Sequence, residues 1–252
     1  MNAAMAAPLL EVHQLRKRFG GVVATDGVDL QVAAGEVHAL IGPNGAGKTT
    51  LVAQLAGQLH PDGGRIVFGG ADITEWTAHQ RARHGLARSF QITRLFKSFS
   101  VLEHIALALQ ATAGASFGAW WPVSRERALW ERARAQLSLF GLADRADALI
   151  DTLSHGQRRA LEVGMAVAAS PRLVLLDEPM AGMGPDESAR MERLIARLAQ
   201  QTTVLLIEHD VDAVFRLAHR VSVLVSGRII ASATPDDVRR DAQVIGAYLG
   251  QE

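Results

Sequence analysis

The sequence predicts an α/β fold with a mostly parallel central sheet, an antiparallel β subdomain and an inserted α-helical subdomain at about 92–170. Three observations predict it. Short, nearly unbroken apolar runs at Val37–Ile41, Leu173–Leu176 and Val204–Ile207 suit strands buried on both faces, and helical patterns separate them. Segments near both ends alternate apolar with polar residues, as half-buried antiparallel strands do. The middle, from about Gln80 to Ser170, is mostly helical in pattern.

Taken in order, Val28, Leu30 and Val32 alternate along a first strand. Val37–Ile41 runs into a glycine-rich turn, after which Leu51, Val52, Leu55 and Leu59 share one helical face. Arg125 to Phe140 reads as a helix whose apolar side is marked by Leu129, Ala133, Leu137 and Phe140, with Arg132 and Gln136 beside it. Met191, Leu194, Ile195 and Leu198 fall at i, i+3, i+4 and i+7. Val221, Val223 and Val225 alternate up to Ser226-Gly227, a turn signal for a hairpin with Ile229 and Ile230. The antiparallel pieces at the two ends are expected to form a side sheet. No linker or internal repeat divides the chain, so 8–252 is read as one domain with enough length for a large core.

Composition narrows the class by exclusion. Basic and acidic residues balance at 26 each among 252, so no global charge points to nucleic acid or an anionic membrane. There is no cysteine, which removes disulfides, thiolate chemistry and cysteine-held metals. Met1 to Leu10 lacks the basic n-region and apolar length of a secretory signal. Ile105 to Ser124 is uncharged, but its glutamine, hydroxyls, glycines and Pro122 read as a helix running into a loop rather than a membrane span. Contact with a membrane is therefore expected through another subunit.

Gly42-Pro43-Asn44-Gly45-Ala46-Gly47-Lys48-Thr49 fits G-x-x-x-x-G-K-[ST], with an apolar strand before it and a helical pattern after it. Glycines let the backbone curl so that successive N–H groups converge on an anion, and the following helix adds the positive end of its dipole. Lys48 supplies charge to the outer phosphates, the Thr49 hydroxyl suits Mg²⁺, and Thr50 can donate to a phosphate oxygen. Such a turn alone does not separate a transporter ATPase from a kinase or GTPase. Leu173 to Leu176 then ends in Asp177-Glu178-Pro179. An acid at the carboxyl end of a buried parallel strand stands where open α/β sheets bind ligands. Asp177 is placed to hold Mg²⁺ and Glu178 to polarise an attacking water. Ser154 and Gln157, in Leu153-Ser154-His155-Gly156-Gln157, form an S-x-x-Q capping box, followed by a packing face of Ala160, Leu161, Gly164, Met165 and Ala168.

These stretches, in this order, resemble ABC ATPases. The run from Leu153 to Gln157 is similar to the LSGGQ signature, with His155 at the first glycine. The resemblance implies a P-loop NTPase core that binds and hydrolyses ATP with Mg²⁺. It implies that Phe19 stacks on adenine, that Gln91 joins the core to the helical subdomain and serves the metal and the chemistry, and that His209 contacts the γ-phosphate. It further implies that Ser154, Gly156 and Gln157 clamp ATP bound by the glycine turn of an opposite subunit, which makes the working unit a homodimer or heterodimer with a second ABC ATPase. One departure stands out: the loop after the acidic strand, usually S-A-L-D, reads Met180-Ala181-Gly182-Met183-Gly184-Pro185 and offers no aspartate.

Within the family, Leu86 to Gln91, Leu95-Phe96, Val101 to His104, Ile207 to Asp210 and Ala247 to Gly250 look like ATPases of branched-chain amino acid importers, with urea and short-amide importers close by. The implied assembly has two membrane permease subunits, a periplasmic solute-binding protein in indirect contact, no nucleic acid, and a peripheral site on the cytoplasmic face of the bacterial inner membrane. Thr93 to Phe99 is the expected dock for a permease helix. A lipid-exporter motor or a soluble ABC ATPase are the alternatives.

Overall fold

The computed structural model describes residues 8–89, 95–112 and 127–247. Two sheets organise them. A four-stranded antiparallel sheet has the order β2 (Val22–Val32), β1 (Leu10–Phe19), β4 (Gly63–Phe68), β5 (Ala71–Asp72). A six-stranded sheet has the order β10 (Arg228–Ala233), β9 (Arg220–Val225), β3 (Val37–Ile41), β8 (Thr203–Ile207), β7 (Leu173–Asp177), β6 (Leu86–Arg88). All its neighbours are parallel except the β9–β10 hairpin.

The apolar runs have the predicted cause. In β7, Val174 and Leu176 enter a core shared with α3 (Val101–Thr112), α4 (Arg127–Leu139), α5 (His155–Val167) and α6 (Pro185–Leu198), while Leu173 and Leu175 enter a second core with the antiparallel sheet and α1 (Lys48–Leu55). In β8, Val204 and Leu206 face the first core, and Leu205 and Ile207 the second. Each such fully buried leucine contributes about 2 kcal/mol of transfer free energy. A third, smaller cluster packs Ala39 and Ile41 with β9, α7 (Val211–Leu217), α8 (Pro235–Arg240) and α9 (Ala242–Ala247).

Two expectations change. The C-terminal hairpin does not join the side sheet: β9 runs parallel to β3 and extends the central sheet, because its buried alternation faces α7 and α8 instead of the N-terminal strands. The turn itself is as read, with Ser226 and Gly227 at φ 47° and 79°, both positive as a tight type I′ turn requires. Leu59 lies beyond α1, which stops at Leu55 with Ala56 as its C-cap. The described part of the stretch from Gln80 is mostly helical, as read; the exception is β6, a three-residue strand on the sheet edge after α2 (Ala78–Arg83). The uncharged stretch begins in α3, as read, and its remainder lies outside the described residues; among those described, no helix is long and apolar enough to cross a membrane.

One buried cation secures the helix behind the glycine turn. Arg81 is 1% exposed and donates to the carbonyls of Gln54 and Leu55 at the end of α1, and of Thr74 and Trp76. Burial pulls its guanidinium down to about 10, which leaves it cationic at neutral pH. Gln54 and Leu55 lie in the last turn of α1, where a positive charge suits the negative pole of the dipole. Replacing Arg81 with Met is expected to cost at least about 3 kcal/mol, read as a lowered urea midpoint, because the carbonyls lose their donors without gaining water.

Candidate functional site

The strand order β3-β8-β7-β6 brings four strand ends to one edge of the sheet. Leu40 pairs with Ile207, and Ile207 with Asp177, so the ends of β3, β8 and β7 stand level. The glycine turn leaves β3 there, His209 follows β8, and Asp177-Glu178 closes β7. This is the edge at which open parallel sheets bind ligands.

The glycines are required by the close packing behind the turn. Gly42 and Gly47 have φ of 153° and 104°, and a Cβ would stand 2.0 Å from the Leu224 carbonyl oxygen and 2.1 Å from that of Ala24. At Gly45, φ 80°, a Cβ would meet nothing, so the turn is packed on its rear side and open in front. Ala46 is buried, and Pro43 and Asn44 complete the loop at the surface side. Lys48 opens α1; its ammonium donates to the carbonyls of Gly42 (2.6 Å) and Pro43 (3.0 Å) and so braces the loop from inside. Burial lowers its pKa, and the negative charges of Glu178 and Asp177 oppose that shift. Thr49 and Thr50 lie in the first turn of α1. Phe19 ends β1 opposite Val22, half-exposed, with the Lys17 ammonium 5.8 Å from its ring centroid. Ala24, two residues past Val22, backs Gly47, which places this apolar rim beside the turn.

The acids diverge in their surroundings. Asp177 is 3% exposed, and its Oδ2 accepts from Arg88 at 2.7 Å. Glu178 turns out of the strand at φ +49°, an uncommon conformation for a side-chain-bearing residue and one that marks functional sites. Its Oε1 lies 2.5 Å from His209 Nε2. Behind this pair sits Glu208, 3% exposed, whose two oxygens accept from the Met180 N–H (2.7 Å) and the His209 N–H (3.1 Å). Burial pushes its carboxyl up, the two N–H donors pull it back, and the charge of Glu178 adds to the rise. Glu208 thus ties the start of the loop after β7 to the histidine.

The capping box forms as read: Ser154 Oγ accepts from the Gln157 N–H, and Gln157 Oε1 accepts from the Ser154 N–H. The structure adds a carboxylate. Glu187, in the first turn of α6, accepts from Ser154 Oγ (2.9 Å) and from the Gly156 N–H (3.2 Å) through the same oxygen. A Cβ at Gly156 would stand 2.8 Å from Glu187 Cδ, so glycine there lets an anionic group reach the helix end. His155 Nε2 lies 3.2 Å from the Ala181 carbonyl oxygen, which links the capped helix to the loop after β7.

Chemically, the edge offers a curled backbone, a cation, hydroxyls and hard carboxylate oxygens, a set that suits a triphosphate and Mg²⁺. Among the described residues no three His, Asp or Glu side chains converge on a metal position, so Mg²⁺ would be held by Thr49 and Asp177 together with phosphate oxygens. Gln91 lies outside the described residues. Arg88, Glu187 and Glu208 are brought to the site by the fold alone: in the sequence Arg88 and Glu208 carry no signal of their own, and Glu187 reads only as an acid in a helical first turn.

The chain is similar to known proteins along nearly its whole length. The family model described as ABC transporter matches residues 25–181, and that described as branched-chain amino acid ATP-binding cassette transporter matches residues 228–252. The high-affinity branched-chain amino acid transport ATP-binding protein BraF of Pseudomonas aeruginosa is 39% identical, over 98% of this chain and all of that protein. LivG of Escherichia coli K12, with the same description, is 38% identical over the same shares. The lipopolysaccharide export system ATP-binding protein LptB of Acidithiobacillus ferridurans is 36% identical, over 97% of this chain and 98% of that protein. Among solved structures, the ADP conformation of MJ1267, an ATP-binding cassette of an ABC transporter, superposes with a TM-score of 0.86 at 30% identity, covering 98% of this chain and all of that one. The chain belongs to the ABC transporter ATP-binding family, the ATPases coupled to transport.

Proposed function

We propose that this chain is the ATPase of an importer for branched-chain amino acids or related small solutes. It works as a head-to-tail dimer with itself or a second ABC ATPase, beneath two membrane permease subunits fed by a periplasmic solute-binding protein. The assignment places it on the cytoplasmic face of the bacterial inner membrane. The glycine turn from Gly42 to Thr50 cradles the triphosphate, Phe19 stacks on the adenine, and Thr49, Asp177 and Gln91 serve Mg²⁺. The metal, when bound, neutralises charge on the outer phosphates. Glu178 accepts the proton of the attacking water, and His209 holds it in place and contacts the γ-phosphate. Ser154, Gly156 and Gln157 receive the partner's nucleotide.

The observation that carries the ATPase reading is the Glu178–His209 pair at 2.5 Å on the sheet edge that also bears the glycine turn and Lys48. Glu187 supports the clamp: the Ser154 hydroxyl and the Gly156 N–H already donate to an anionic oxygen. The amino-acid reading rests on the kinship to BraF and LivG and on the C-terminal match. The similarity to LptB keeps lipid export as the second reading.

The two readings separate in cells. Deleting the gene for this chain should abolish high-affinity uptake of radiolabelled leucine, isoleucine and valine, and the tagged chain should co-purify with two permeases. Unchanged uptake, with a lipid-export membrane protein as the partner, would favour the second reading.

A further inference from the structure

The geometry points to Arg159 as a positioning residue that couples the two nucleotide sites of the dimer. The inference rests on the ATPase reading above and goes beyond it. Arg159 lies five residues after the cap of α5, on the helix whose N-terminus faces the opposite nucleotide. Its side chain is 11% exposed. One terminal nitrogen donates to the carbonyl oxygens of both Asp177 (2.9 Å) and Glu178 (2.8 Å), and the other donates to Glu162 Oε2 at 2.8 Å. Glu162, on the same helix, thereby sets the plane of the guanidinium.

These contacts fall where the backbone needs them. Glu178 holds φ +49°, a conformation that persists only where surrounding contacts over-determine it. Its N–H donates to the Ile207 carbonyl, and its own carbonyl accepts from Arg159 and from the Ala181 N–H. Pro179, next in the chain, brings no N–H to the turn. Arg159 is therefore a side-chain anchor on the peptides either side of Glu178, and it belongs to the helix that meets the partner's nucleotide. A shift of α5 on engaging that nucleotide moves the carbonyls held by Arg159, and with them the carboxylate facing His209. Each signature thus sets the geometry of its own chain's Glu178, a contiguous path between two sites.

The test is steady-state ATP hydrolysis by the assembled transporter carrying Arg159→Met, Arg159→Lys or Glu162→Gln. For Arg159→Met, kcat should fall by about 10- to 100-fold, as expected for a displaced catalytic group, while KM for ATP stays within about threefold. The Hill coefficient should drop towards one. Arg159→Lys, which keeps a donor, should recover part of kcat and of the cooperativity. Glu162→Gln, which frees the guanidinium without emptying the site, should give an intermediate loss, and it decides the matter if Arg159→Met does not fold. Wild-type kcat and Hill coefficient in folded Arg159→Met, or in Glu162→Gln if it alone folds, would overturn the inference. So would kcat and KM changing together alongside a lowered melting temperature, the mark of a structural role. Failure of the underlying reading looks different: wild-type protein would not hydrolyse ATP, or Glu178→Gln would hydrolyse it normally.

Discussion

Replacing Glu178 with Gln should lower ATP turnover by at least about 100-fold, the contribution of a general base, while ATP binding is kept. The substitution is nearly isosteric. The amide oxygen can still accept from a ring N–H of His209, so the 2.5 Å pair can persist without the negative charge. What disappears is the group that takes the proton from water. Removing a carboxylate beside a triphosphate also relieves repulsion, so the variant should hold nucleotide longer and accumulate as an ATP-bound dimer. Turnover and gel-filtration mass with ATP and Mg²⁺ check both halves. Full turnover would remove Glu178 from its role, and a folded variant that stays monomeric would contradict the trapped dimer.

Replacing Lys48 with Ala should weaken nucleotide binding by about 10- to 100-fold, the worth of one or two charge-assisted hydrogen bonds. Two effects add. The outer phosphates lose their cation, and the loop loses the ammonium that bridges the Gly42 and Pro43 carbonyls from within. The buried amine is already a costly charge, supported by Asp177 and Glu178 against desolvation. Titration calorimetry with ATP reads the change directly. An unchanged Kd would contradict the assignment.

Legibility in the sequence followed the range of the interactions. β7 and β8 could be read because a strand buried on both faces must be apolar at every position, and Leu173 to Leu176 divides its side chains between two cores. The Ser154 cap could be read because its partner, Gln157, is three residues away. The Ser226-Gly227 turn was equally local. The sheet that received β9 could not be read, since a strand's parallel partner is chosen by packing between distant segments. β6 is too short to show a period. The Arg88–Asp177 pair spans 89 positions and the Ser154–Glu187 contact 33, distances over which one sequence carries no signal. The candidate site was legible as residue types at the correct strand ends; the cross-links that brace it were not.

In the proposed dimer, two chains enclose two nucleotides between a glycine turn and the partner's signature helix. A crystal structure of the Glu178→Gln chain grown with ATP and Mg²⁺ tests it most directly. The predicted result is a γ-phosphate within hydrogen-bond distance of Lys48 Nζ in one chain and of the partner's Ser154 Oγ, with Glu187 displaced from that hydroxyl. Nucleotide bound in the turn while every Ser154 faces solvent, or no nucleotide in the turn at all, would contradict it.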